Sequence, residues 1–338
     1  MGGAENVLRM TAEAALMSGR YDGVELFVLA GVRSGTLDAL AAAGATVRHS
    51  GASSEKTGLP ALARTLRRRR YALVVSSHTH LNAAASAARA VGWLRTDRLV
   101  TRESTMAFER DFGRMGPVLR GLYRLYGAQD RIVCQTERMA ASLSSGTNHR
   151  FATRTAHVPN PIALEPRAPK APGDSEVHIV WCGRLAPVKS PERAIRALAF
   201  VRETGLPARL TVIGDGPLRR DLERLADGIG VAGHVRFTGR IERPTDIMAT
   251  ADLGLMTSDV EGFPNVILEM LASGVRRVVT TDCAGGLAAI PGVTVAPSVE
   301  PGALAEALHA QANAAASPDL PAYLRARSPA AFLEAIAA

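Results

Sequence analysis

Residues 178–205 read HIVWCGRLAPVKSPERAIRALAFVRETG and divide into three parts. HIVWCG is a short apolar run with β-branched and aromatic residues that closes on a glycine, which predicts a strand. SPERAIRALAFVRETG repeats its apolar residues at intervals of three and four and also closes on a glycine, which predicts a helix. GRLAPVK, between them, is the turn. Working outward, the same alternation recurs on both sides. Strands are predicted over 24–30, 45–50, 71–77, 98–103 and 131–136 before this unit, and over 209–214, 234–239, 253–258, 276–281 and 293–298 after it. Helix-period segments such as GPLRRDLERLADGIG lie between them, the pattern of parallel sheets covered on both faces.

A Pro-rich polar stretch, PNPIALEPRAPKAPGDSE (159–176), interrupts the alternation near the midpoint of the 338 residues and reads as a linker. The expected fold class is therefore α/β, with two doubly wound Rossmann-like domains and a ligand cleft at the carboxyl ends of their strands. The domains are placed at 1–165 and 177–320, with a linker at 166–176 and a closing helix at 321–338. A hydrophobic share of 47% and a charged share of 21% exclude bulk disorder. Cys134, Cys182 and Cys283 lack disulfide or zinc spacing, so no metal site is expected. No apolar run reaches the ~20 residues of a membrane span, and MGGAENVLRM is not a signal peptide. The expected setting is cytoplasmic. Charge is uneven: residues 1–170 hold 24 Lys/Arg against 13 Asp/Glu, net +11, and residues 171–338 hold 16 against 19, net −3.

Four motifs carry chemistry. In GRLAPVK, Arg184 and Lys189 stand at a strand's carboxyl end just before a helix, where two cations and the helix N–H groups can converge on a diphosphate. On spacing alone they read equally well as solvated loop cations. VIGDGP (212–217) is a second strand-to-helix turn, in which Gly214, Asp215 and Gly216 let backbone approach a nucleotide or serve as an ordinary tight turn. EGFPNVILE (261–269) carries two glutamates, Glu261 at a strand end and Glu269 inside the following helix, where a solvated helix glutamate is the plain alternative. TTDCAGG (280–286) closes the series.

In order and spacing, GRLAPVK, VIGDGP, EGFPNVILE and TTDCAGG resemble the nucleotide-sugar domain of glycosyltransferase family 4, the retaining enzymes of the GT-B fold (group 1 type). The resemblance is dense over about 180–290. It implies that Arg184 and Lys189, beside Gly183, hold the donor diphosphate, that Glu261 faces the transferred sugar, and that Glu269 binds the ribose hydroxyls. Backbone amides around Gly262, Phe263, Pro264 and Asn265 would complete the pocket. No cofactor is implied beyond the nucleotide-diphosphate sugar, which is a substrate.

The first half resembles the family more loosely. Gly2-Gly3-Ala4-Glu5 is similar to its glycine loop, but only Met1 precedes it. The expectation is a sheet lacking its innermost strand, from a chain that begins too late. The family often has a histidine at the end of the fourth strand. Here the sequence reads Val100-Thr101-Arg102-Glu103-Ser104, so Glu103 or Arg102 is expected to stand in. His78 and His80 follow the third strand, either towards the cleft or bonded to backbone, and His78 and Asn160 are candidate substrate-binding residues.

Retaining transfer breaks the donor C1–O bond through an oxocarbenium-like centre. Fixed cations can stabilise the departing diphosphate, and no D-x-D metal motif occurs, Asp259-Val260-Glu261 being the nearest. The expected partners are a nucleotide-sugar donor and a sugar, glycolipid or polyprenyl-linked acceptor, as in polysaccharide or glycolipid assembly. LPALARTLRRRRYAL (59–73) and GRMGPVLRGLYRLYG (113–127) interleave arginines with leucines and tyrosines, as on a helix lying on the anionic inner face of a membrane. A solvated face explains the same residues. No nucleic-acid reader motif is present. Two other classes fit less: an oxidoreductase, which needs G-x-G-x-x-G, and a nucleotide-sugar-binding protein on a decayed transferase scaffold.

Overall fold

The computed structural model describes residues 3–30, 35–171 and 176–338, and the chain forms two units. The first comprises Met1–Ala163 and Arg327–Ala338, the second Leu164–Ala326.

In the first unit, helix α1 (Gly3–Ser18) leads into strand β1 (Glu25–Val28), helix α2 (Gly35–Ala42), strand β2 (Thr46–His49), helix α3 (Glu55–Arg68) and strand β3 (Tyr71–Ser77). There follow α4 (Thr79–Ala90), β4 (Thr96–Arg102), α5 (Gly116–Gly121), β5 (Arg131–Cys134), α6 (Glu137–Gly146) and β6 (Thr155–His157). β3, β4, β5 and β6 pair in that order, all parallel, while β1 and β2 form a separate parallel pair. The expected interruption is thus present: among the described residues neither β1 nor β2 pairs with β3. What joins the two sheets is α1. Its Val7 and Met10 pack on Val100 and Val133 of the larger sheet, and its Ala12 and Leu16 on Leu26 and Val47 of the pair, so one helix buries apolar residues on both. The Tyr71 hydroxyl donates to the Glu25 carboxylate at 3.2 Å, adding a polar link between β3 and β1.

The second unit begins with β7 (Val177–Cys182), α7 (Pro191–Glu203), β8 (Ala208–Ile213), α8 (Arg219–Gly228), β9 (Val235–Gly239), α9 (Pro244–Met248) and β10 (Leu253–Met256). It continues with α10 (Asn265–Ala272), β11 (Arg277–Thr280), β12 (Val293–Val295), α11 (Pro301–Gln311) and α12 (Leu320–Arg325). The six strands are parallel in the order β12-β11-β10-β7-β8-β9. One face of β7 and β8 buries Ile179, Trp181, Leu210 and Val212 against Ile195 and Leu198 of α7, the period-two and period-3.6 patterns meeting as the sequence predicts.

All eleven predicted strands form. β6 was missed, since its three residues, Thr155–His157, carry no apolar alternation. The segment 321–338 is two elements: α12 belongs to the second unit, and a last helix, α13 (Pro329–Ala337), packs Phe332 and Ile336 into the first unit's core beside Val7 and Met10. Part of the expected linker is docked: Arg167 N–H donates to the Ala272 carbonyl at 2.8 Å, and Lys170 pairs with the buried Asp252. Gly2 lies outside the described residues.

Candidate functional site

The strand order reverses between β7 and β10. From β7 the chain steps to β8 and β9 on one side, then returns to β10 and proceeds to β11 and β12 on the other. Loops leaving the carboxyl ends of two such strands diverge and leave a crevice, the usual ligand position in doubly wound sheets. The loop after β7 carries Arg184 and Lys189, and the loop after β10 carries Glu261.

Lys189 and Glu261 form an ion pair. Both main chains are pinned. Thr257 Oγ1 donates to the Lys189 carbonyl at 3.0 Å and accepts from Trp181 Nε1 at 3.0 Å, while Asp259 N–H donates to the Val188 carbonyl at 3.0 Å. Glu261 N–H donates to the Cys283 carbonyl at 2.8 Å, which brings the TTDCAGG loop alongside. Thr257 and Trp181 escaped sequence reasoning. Their only signal was a threonine and an indole among apolar strand residues, groups that need a partner when buried.

Arg184 is exposed and makes no ion pair with any described residue. The glycines around it serve a close contact between two loops. A Cβ on Gly214, at φ +133°, would stand 1.9 Å from the Gly183 carbonyl oxygen, and one on Gly216 would stand 2.4 Å from that of Leu185. These glycines let the two loops touch, and Leu185 N–H donates to the Asp215 carbonyl at 3.0 Å across the contact. Asp215 Oδ1 accepts from Gly216 N–H at 2.7 Å.

Glu269 lies one helical turn into α10 and is largely enclosed, and burial holds its carboxyl above the ordinary carboxylate range. Its carboxylate makes no hydrogen bond or ion pair with a described side chain, and the residue keeps partial contact with solvent. Pro264 precedes α10 and Asn265 is its first residue, with Gly262 and Pro264 buried and Phe263 partly so. Asp259 and Glu261 do not converge. Asp259 accepts from Arg193 at 2.6 Å and Ser190 Oγ at 3.0 Å, and Glu261 faces Lys189. Among the described residues no His, Cys, Asp and Glu cluster forms a metal site. Burial pushes the Cys182 and Cys283 thiols up to about 12, away from the thiolate form.

In the first unit Gly3 opens α1. Glu103 is 1% exposed. Its carboxylate accepts from Tyr126 at 2.7 Å, Tyr123 at 2.8 Å, and Thr79 and Asn82 at 3.3 Å. Burial raises its pKa against the pull of those four donors. Arg102 points elsewhere, donating to Ser77 Oγ at 3.2 Å and Asn160 Oδ1 at 2.7 Å, and burial lowers its guanidinium to about 10. Glu103, Arg102 and Asn160 are thus enclosed and occupied by their own neighbours. His78, at the end of β3, has φ 76° and ψ 133°, a conformation that side chains adopt only under constraint and that concentrates at functional sites.

These features define an α/β protein of two Rossmann-like units, and the comparisons agree. Residues 176–313 match the family model described as glycosyl transferases group 1, the family the motifs resemble. A GDP-mannose-dependent alpha-(1-6)-phosphatidylinositol dimannoside mannosyltransferase of Mycobacterium tuberculosis is 38% identical over 31% of this chain and 28% of its own length. A D-inositol 3-phosphate glycosyltransferase of Rhodococcus erythropolis is 29% identical over 58% of this chain and 50% of its own. The chain thus spans half or less of these relatives' lengths. Anabaena Alr3699/HepE, solved in complex with UDP and glucose, superposes with a TM-score of 0.78 at 18% identity, covering 99% of this chain and 95% of that one. WaaG, a glycosyltransferase involved in lipopolysaccharide biosynthesis, gives 0.67 at 16%, covering 100% and 95%. The fold is GT-B.

Proposed function

We infer that the chain is a retaining, metal-independent glycosyltransferase that moves a sugar from a nucleotide-diphosphate donor to a hydroxyl of a glycolipid, polyprenyl-linked or sugar acceptor. One observation carries this reading: at the strand-order reversal of the second unit, Lys189 from the loop after β7 pairs with Glu261 from the loop after β10, with Arg184 exposed on the first loop and Glu269 on the helix that follows the second. Arg184 and Lys189 take the departing diphosphate, Glu261 takes hydroxyls of the sugar, and Glu269 takes those of the ribose. Fixed cations aimed at charge that develops as the C1–O bond breaks act as preorganised electrostatics. The relatives named for GDP-mannose and for inositol phosphate acceptors support a lipid or polyol acceptor in glycolipid or polysaccharide assembly.

The deciding experiment is a transfer and hydrolysis assay with a panel of UDP- and GDP-sugars, run with and without EDTA. Turnover with at least one donor, undiminished by EDTA, is expected, as is a loss of about 10²–10³ in Arg184→Ala. Donor binding with no turnover across the panel would instead favour a non-catalytic binding protein on the same scaffold. Loss of activity in EDTA with recovery on added magnesium would overturn metal independence, and an inverted anomeric configuration in the product would overturn retention.

A further inference from the structure

Lys189 is not an open cation. Its side chain is 28% exposed and that of Glu261 15% exposed, and the two are engaged with each other. The backbone of each is fixed by the bonds from Thr257, Asp259 and Cys283 described above, so only the side-chain ends can part. A diphosphate that takes Lys189 must break this ion pair and leave Glu261 a partly desolvated carboxylate without its partner. A sugar still attached to that diphosphate brings hydroxyl donors that satisfy Glu261 in exchange. A bare nucleoside diphosphate brings none, and adds negative charge next to it.

Resting on the donor-site reading above, we propose that Lys189 is held in turn by two anions, Glu261 and the diphosphate, so that Glu261 competes with the leaving group and favours a nucleotide that still carries its sugar. After transfer, Glu261 has no hydroxyl to accept from, retakes Lys189 and loosens the hold on the spent nucleotide. The device makes product release part of the site's electrostatics. It also makes Glu261 oppose binding of the product that its neighbour Lys189 promotes.

The test is calorimetric titration of UDP and of GDP into the wild type, Glu261→Gln, Glu261→Ala, Lys189→Ala and the double variant Lys189→Ala/Glu261→Gln, each first shown by circular dichroism to melt cooperatively. Both Glu261 variants should bind the preferred diphosphate about tenfold more tightly than the wild type, a pair of intermediate burial lying between exposed and buried ion pairs. The gain should vanish on the Lys189→Ala background. Unchanged or weaker binding in both Glu261 variants overturns the exchange and leaves the donor site standing. A gain that persists without Lys189 also overturns it, since general charge removal then suffices. A wild type that binds neither diphosphate at millimolar concentration defeats the donor-site reading itself.

Discussion

At the residue scale, the site's geometry depends on which positions tolerate a β-carbon. Gly214 combines a left-handed φ of +133° with a Cβ position 1.9 Å from the Gly183 carbonyl oxygen, and that oxygen belongs to the turn that presents Arg184. Gly214→Ala must therefore move the Arg184 loop as well as strain its own backbone. The expected cost is about 3 kcal/mol, at the upper end for backbone strain and overpacking. It is read as a fall of roughly 6–12 °C in the melting midpoint together with loss of nucleotide affinity. Gly228→Ala is the control: its Cβ meets nothing within 4 Å, at the end of α8, so the same substitution should be neutral or stabilise by up to about 1 kcal/mol. An equal loss at both positions would disprove the loop-contact argument. The sequence showed that 214 and 216 were special but not why. G-D-G reads as a nucleotide turn, and the loop that fills the space beside it, residues 183–185, is distant in sequence.

At the element scale, α10 carries the second glutamate into an enclosed position, and the pH consequence follows from its direction of shift. Burial raises the Glu269 pKa above the value it has in the unfolded chain. The folded state therefore holds the proton more tightly, and ionisation of Glu269 costs stability as pH rises through the unfolded and then the folded pKa. If Glu269 holds the ribose as proposed, the hydroxyls donate to its ionised form, and nucleotide affinity should be full at neutral pH. It should weaken as pH falls through the raised pKa, at a pH where an ordinary carboxylate is still ionised. Glu269→Gln should raise the melting midpoint at pH 7, weaken nucleotide binding, and flatten its pH dependence. Retention of the wild-type pH profile in that variant would place the titration elsewhere. The spacing that puts Glu269 on α10 was legible from E-x7-E. Its desolvation was not, because enclosure depends on neighbours distant in sequence. Glu103 illustrates the same limit more sharply: a strand-end carboxylate looked like a substitute for a catalytic histidine, yet Tyr123 and Tyr126, some twenty residues on, bury it. In the structure its carboxylate ties down the segment that bears those tyrosines.

At the scale of the whole molecule, the +11 charge of residues 1–170 has to be divided between cations committed to the fold and cations free to meet a partner. No described helix is long and apolar enough to cross a membrane. The α3 region is largely committed. Arg67 stacks over Trp93 at 3.8 Å, Arg69 pairs with Glu25 at 2.7 Å, and Arg70 pairs with Asp97. The segment 113–126 differs. Met115, Val118 and Leu125 are 53%, 54% and 50% exposed, Arg114, Arg120 and Arg124 are exposed among them, and Tyr123 and Tyr126 anchor the segment from within on Glu103. Interfacial attachment needs both apolar insertion and attraction to anionic lipid, and this segment offers both. Flotation with phosphatidylserine-containing vesicles should carry the wild type at low salt, and less of it at moderate salt as screening grows. The Met115→Ser/Val118→Ser/Leu125→Ser variant should stay behind, whereas Arg67→Gln/Arg70→Gln should float nearly as well as the wild type. If the α3 pair abolished flotation and the triple serine variant did not, the apolar segment would be excluded as the docking element and the basic helix would take its place.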